Sequence, residues 1–180
     1  MMKNADLVIR NTAQIWTFQG PNRPRVGTEM NQTGLITKGA IAIKDGIIQW
    51  VGPEVDINTN VNLDNTTQIF DAENCAVVPG FIEPHTHLVF AGTREDEFSK
   101  KIAGVPYMQI AAEGGGIKRT VKDTRKATDE ELYELGYARV QEALKLGITT
   151  VEIKSGYGLD FETEVKMLRV AGELAKNTPI

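Results

Sequence analysis

Cysteine occurs once in these 180 residues, at Cys75, and histidine only twice, at His85 and His87. One thiol excludes an internal disulfide framework and any cysteine-based zinc knuckle, and its apolar setting, "NCAVVPG", places Cys75 in a core rather than in catalysis. No stretch approaches the roughly 18 uninterrupted apolar residues of a membrane span. The N-terminus "MMKNADLVIRNTAQIW" lacks the apolar segment and small-residue cleavage site of a secretory signal, so the expected location is cytoplasmic. Excess charge of one sign is missing too. A net charge of −4 and a pI near 5.3, with acids and bases interleaved, leave no footprint for nucleic acid or an anionic membrane surface. What remains, 41% hydrophobic and 24% charged, is the composition of a globular protein of about one domain.

Residues 1–76 read as β-structure. Short apolar runs ("DLVIRN", "QIWTF", "GAIAIKDGIIQWVG", "TQIFDA") alternate with turn-rich segments, and Gly20–Gln32 and Asn58–Thr67 are expected as surface loops. Asp45-Gly46 between two apolar runs predicts a type I′ hairpin, which needs positive φ at both central positions. The pattern changes over residues 77–180. "AVVPGFI" reads as a parallel strand buried on both faces, and helical and then strand-like segments follow in βα order. Thr128 and Glu131 form a capping box ahead of a helix presenting Leu132, Leu135, Gly136, Val140, Ala143 and Leu144 on one face and ending at Gly147. The strand "ITTVEIK" comes next. Asp160 then caps a second helix, predicted to bury Phe161, Val165, Leu168, Ala171 and Ala175. Two parallel strands alone cannot close a sheet, so the chain is expected to be the N-terminal part of a longer protein.

Both histidines lie in "VVPGFIEPHTHLVF". Side chains two apart on a strand share a face, so the imidazoles of His85 and His87 would be presented together, as one metal ion requires. Spacing alone also fits two histidines on a solvated strand face. Their position at the C-terminal end of a strand favours chemistry, because α/β barrels place their active sites there.

"PGFIEPHTH" resembles the first-strand signature of the amidohydrolase superfamily. The resemblance implies an α/β fold: the N-terminal part of a (β/α)8 barrel preceded by a small β-sandwich, both incomplete in this chain, with His85 and His87 as metal ligands. "FAGTREDEFSKKIAGVPYMQIAAEGGGIKRTVKDTRKAT" and "TTVEIKSGYGLD" are similar to the imidazolonepropionase family. That similarity implies hydrolysis of the cyclic amide of 4-imidazolone-5-propanoate to N-formimino-L-glutamate, in histidine degradation, at one zinc or iron ion, in a homodimer when full length. Another cyclic amidohydrolase or deaminase, or a noncatalytic fragment, are the competing readings.

Arg94, in "AGTREDEF", could pair on the surface with Glu95, Asp96 or Glu97. The resemblance instead assigns its forked guanidinium to the substrate carboxylate. Tyr157, flanked by Gly156 and Gly158, could simply plug a loop, but the family match points to substrate binding. Tyr107 in "GVPYMQI" also matches a substrate-side tyrosine, or else packs at a helix start. Gly114-Gly115-Gly116 lacks the G-x-x-x-x-G-K-[ST] of a phosphate cradle and reads as a flexible loop suited to gating. Lys154 and Glu83 are read as supporting residues. A catalytic zinc usually keeps three protein ligands and needs a proton-transfer group beside it. The resemblance places a further histidine and an aspartate on later strands, so these 180 residues are expected to be inactive alone.

Overall fold

A computed structural model describes residues 2–180. The chain divides between Pro79 and Gly80 into two units.

The first unit is built of strands β1 (Lys3–Asn4), β2 (Leu7–Arg10), β3 (Gln14–Trp16), β4 (Leu35–Thr37), β5 (Gly39–Lys44) and β6 (Ile47–Pro53), the single-turn helix α1 (Ile57–Asn60), then β7 (Val61–Asn62), β8 (Gln68–Asp71) and β9 (Ala76–Val77). They form a four-stranded sheet in the order β6-β5-β2-β8, a three-stranded sheet β4-β3-β9 and the pair β1-β7. The β5–β6 hairpin turns at Asp45 (φ 51°) and Gly46 (φ 76°), as the Asp-Gly pair predicts. Val8, Ala40, Ala42, Ile57 and Val61 are buried together, with Trp50 and Leu63 packed against them. The two expected loops carry more structure than their polarity suggests: a 3-10 turn spans Gly27–Asn31, and the segment from Asn58 holds the end of α1 and β7. Cys75 is exposed rather than in a core. It follows Glu73 and Asn74, both at positive φ, in a turn whose backbone bonds (Cys75 N–H to Ala72 O, 2.7 Å) fix the chain at the surface.

The second unit comprises β10 (Phe81–Thr86), α2 (Glu95–Ile102), α3 (Tyr107–Ala112), α4 (Ile117–Lys126), α5 (Asp129–Lys145), β11 (Ile148–Ile153) and α6 (Phe161–Asn177). β10 and β11 pair in parallel. "AVVPGFI" is therefore two elements, not one buried strand: Ala76–Val77 closes the β3 sheet, the chain leaves it through Val78-Pro79-Gly80, and Phe81 opens a new sheet. Proline has no N–H to extend a ladder. Phe81 and Ile82 are 56% and 68% exposed, because among the described residues β10 has one neighbouring strand.

The capping box forms as predicted, with the Thr128 hydroxyl accepting from Glu131 N–H (3.1 Å) and Glu131 accepting from Thr128 N–H (2.9 Å). Leu132, Gly136 and Val140 of α5 are buried, while Leu135 faces solvent. Asp160 caps α6 by accepting from Thr163 N–H (2.8 Å). The buried face of α6 differs from the predicted one: Thr163, Met167, Val170 and Leu174 are inside, and Phe161 and Leu168 are 83% and 52% exposed. The helix is apolar on two faces, and α5 selects one of them. A side chain at Gly136 would come within 2.6 Å of Leu174 Cδ1, so the glycine is what lets Leu174 settle onto α5. Leu88 and Val89, just past β10, join this core.

Candidate functional site

The ladder between β10 and β11 is irregular where the histidines stand. From Phe81 to Ile82 the partner strand advances two residues, Ile148 to Thr150; from Glu83 to Thr86 it advances only two, Val151 to Ile153. β10 thus bulges at Pro84-His85, a place that tolerates proline because an extra residue needs no ladder donor. His85 is exposed in the bulge, and its backbone N–H donates to the Glu83 carboxylate (3.1 Å). His87 follows just beyond the strand end. The two imidazoles meet edge to face with centroids 5.5 Å apart. Nδ1 of His87 is buried and has no hydrogen-bond partner. An unpartnered buried ring nitrogen is costly unless something binds it.

Tyr157 covers His87. Its ring lies 4.7 Å from the imidazole, centroid to centroid, and tilted by 31°. Phe90 meets the other part of the tyrosine edge-on at 5.5 Å. Phe90 is in turn held by Arg139 of α5, whose Cζ sits 3.7 Å above its ring centre and whose guanidinium donates to the carbonyls of Leu88 (2.7 Å) and Phe90 (2.8 Å). Burial lowers the Arg139 pKa from its ordinary value; the aromatic face and two carbonyls replace the lost water. His85, His87, Tyr157 and Phe90 thus form one cluster at the C-terminal ends of the parallel strands.

The loop that carries Tyr157 is fastened by Glu164, four residues past the α6 cap. Its carboxylate accepts from the N–H groups of Gly156 (2.6 Å), Gly158 (2.8 Å) and Leu159 (2.7 Å). Burial by itself would raise the Glu164 pKa; the bonds from Leu159, the Ser155 side chain, Gly156 and Gly158 outweigh it and hold the group below the usual carboxylate range.

Arg94 is exposed and stands at the N-cap of α2. The surface pairings that competed for it are taken elsewhere. Asp96 binds Arg119 (2.8 Å), Glu97 is buried and accepts from Gly116 N–H (2.9 Å), and the Thr93 hydroxyl beside Glu95 holds its pKa below the ordinary carboxylate value. Among the described residues no hydrogen bond or ion pair occupies the Arg94 guanidinium. The glycine run is accordingly not an open loop. Gly114 (φ 86°) and Gly116 (φ 68°) turn tightly onto the Glu97 carboxylate, and a Cβ on Gly115 would lie 2.8 Å from Glu97 Oε1. Tyr107 is half exposed at the start of α3, with Lys101 Nζ 5.5 Å from its ring centre. No hydrogen bond, ion pair or ring contact joins Arg94 or Tyr107 to the imidazoles among the described residues. Lys154 pairs with Glu152 and donates its backbone N–H to Thr86 O (2.8 Å), a supporting position.

The donor set suits a borderline metal, since imidazole nitrogens serve zinc and iron alike. It is a partial set: among the described residues no three His, Cys, Asp or Glu side chains converge. An open apolar groove of about 500 Å³, lined by first-unit residues such as Trp16, Trp50 and Val77, contains none of these groups.

No family model matches the chain. Among solved structures it is similar to a guanine deaminase of E. coli (TM-score 0.60, 18% identity, covering 92% of this chain and 33% of that one). It is also similar to an adenosine deaminase of Xanthomonas campestris crystallised with zinc (TM-score 0.51, 15% identity, 98% and 33% covered). These likenesses define the class by fold: an α/β chain with the fold of about a third of each of these deaminases. Curated relatives carry the comparison further. The imidazolonepropionase of Parabacteroides distasonis is 45% identical over 179 residues, 99% of this chain and 42% of that protein. That of Alkaliphilus metalliredigens is 46% identical over 97% of this chain and 41% of its own length, and that of Shewanella denitrificans 51% identical over 80% and 34%. The chain belongs to the imidazolonepropionase family, and it spans about two-fifths of the length of the curated relatives it matches.

Proposed function

We propose that the full-length protein bearing this chain hydrolyses the cyclic amide of 4-imidazolone-5-propanoate to N-formimino-L-glutamate, in the cytoplasm and as a homodimer. The reading rests on one observation above the others: two adjacent imidazoles stand at a strand end, and one of them, with a buried, unpartnered nitrogen, lies under a tyrosine ring. His85 and His87 would hold one zinc or iron ion. When bound, that ion supplies an activated water and polarises the ring carbonyl.

The chain's own side chains bind and orient. Arg94, whose acidic neighbours are engaged elsewhere, offers two parallel donors to the propanoate carboxylate. Tyr157 covers the imidazolone face and can donate its phenol hydrogen to the ring. Tyr107 is a second substrate-side phenol. The remaining metal ligands, and the group that protonates the departing nitrogen, come from sequence after Ile180, which would also complete a (β/α)8 barrel and its β-sandwich. The test is turnover by the full-length protein. Imidazolone propanoate should be hydrolysed in preference to dihydroorotate, guanine or cytosine, and Arg94→Met should raise KM sharply with little loss of bound metal. Preference for any of the other three overturns the assignment.

A further inference from the structure

Tyr157 reaches His87 from a loop that has little reason of its own to stay in place. Ser155–Leu159 contains two left-handed residues, Gly156 (φ 123°) and Leu159 (φ 55°), and the second is a leucine, for which that conformation is strained. Its side chain is 61% exposed, so packing does not hold it there. The backbone N–H groups of both left-handed residues point at one carboxylate, that of Glu164, together with the N–H of Gly158 between them. From the other side Arg125 Nε donates to Gly158 O (2.7 Å). A Cβ on Gly156 would stand 3.4 Å from His87 Cε1, so the loop backbone lies directly against the imidazole, and small movements of the loop move Tyr157 relative to the ring.

We propose that Glu164 is a positioning residue: by gathering the N–H groups of Gly156, Gly158 and Leu159 it sets the Tyr157 ring over His87. It touches neither imidazole nor substrate and acts through the loop. This inference rests on the reading that Tyr157 contacts the substrate only for its effect on turnover; the placement of the ring can be measured without it.

The experiment uses the zinc-loaded full-length protein with Glu164→Gln, Tyr157→Ala and the double variant. In Glu164→Gln the amides of residues 156–159 should exchange about tenfold faster, as loss of a charged acceptor predicts, while α5 exchanges as before. The Cε1 proton of His87, shifted by the overlying ring, should move toward its position in Tyr157→Ala. KM for imidazolone propanoate should rise about tenfold with a smaller change in kcat, and Glu164→Gln should add less than about twofold in the Tyr157→Ala background, the mark of two residues acting through one path. Glu164→Asp keeps the charge but draws the acceptor back by one methylene; it should shift every readout the same way with smaller amplitude, and it decides the question if the glutamine variant does not fold. Unchanged loop exchange with an unmoved His87 resonance, or an undiminished effect of Glu164→Gln in the Tyr157→Ala background, overturns the proposal. Absence of wild-type turnover on imidazolone propanoate would instead overturn the functional reading, and exchange and resonance would still decide the role of Glu164.

Discussion

Gly156 stands where no other residue fits without cost. Its φ of 123° disfavours any L side chain, and a methyl group there would reach van der Waals contact with His87 Cε1 at 3.4 Å, so relief of the backbone strain would be felt at the imidazole. Gly156→Ala is therefore expected to cost about 1–3 kcal/mol and to displace Tyr157, read as a lowered Tm and a moved His87 resonance. The carboxylates at this end of α6 give a second prediction at the same scale. Glu164 is held low by the net of burial and its four donors, and Asp160 by its bonds to Thr163 and by Arg125 and Lys166. A carboxyl with a lowered folded-state pKa stabilises fully above its ordinary value of about 4 and loses that contribution as pH falls through the folded value. Thermal unfolding should thus show this region loosening on the acid side and not the alkaline side, with Glu164→Gln flattening the acid limb. Single residues were also where the sequence said most about the site. His85, His87 and Tyr157 declared themselves through motif and flanking glycines, and the structure gathers them into one cluster. Phe90, Arg139 and Glu164 did not, because each matters through partners in other elements or loops rather than through its own neighbours in sequence. The only local signal for Glu164 was an acid in the first turn of a helix, which usually means no more than a favourable dipole.

Among elements, the hairpin at Asp45-Gly46 and the caps at Thr128 and Asp160 were readable because the chemistry of each turn is confined to a few adjacent residues. Thr128→Ala should cost about 1 kcal/mol, measured by denaturant unfolding, through loss of the bond to Glu131 N–H. The packing face of α6 was not readable. Phe161, Val165 and Leu168 make as good an apolar stripe as Met167, Val170 and Leu174, and periodicity cannot say which one α5 will cover. Met167, 1% exposed, is on the covered side; Met167→Ala should destabilise by about 2–5 kcal/mol. "AVVPGFI" failed for a related reason. A run of apolar residues reports burial or strand propensity, and only the sheet partners reveal that Val77 and Phe81 belong to different sheets.

For the molecule as a whole, among the described residues the parallel sheet has two strands with unpaired outer edges and an exposed Phe81 and Ile82, a surface prone to pair with another chain. The 180-residue chain alone is expected to self-associate, to retain zinc well below one equivalent after gel filtration, and to unfold at the same temperature with or without chelator. Light scattering, metal analysis and circular dichroism check these three outcomes. Stoichiometric zinc on a monomeric chain would show that two imidazoles suffice, against the three protein ligands of ordinary catalytic sites.

The paired slips in the β10–β11 ladder bear on how this region can change. β11 gains a residue opposite Phe81–Ile82, β10 gains one between Glu83 and Thr86, and the two cancel across the strand. Spacing, more than composition, is what holds the histidines where they are. Exchanging Pro84 for another amino acid leaves that cancellation intact, whereas deleting it leaves one slip uncompensated and turns either His85 or the strand before it through half a pleat. Single-residue insertions and deletions between Phe81 and His87 should therefore be far scarcer among functional variants than substitutions at the same positions.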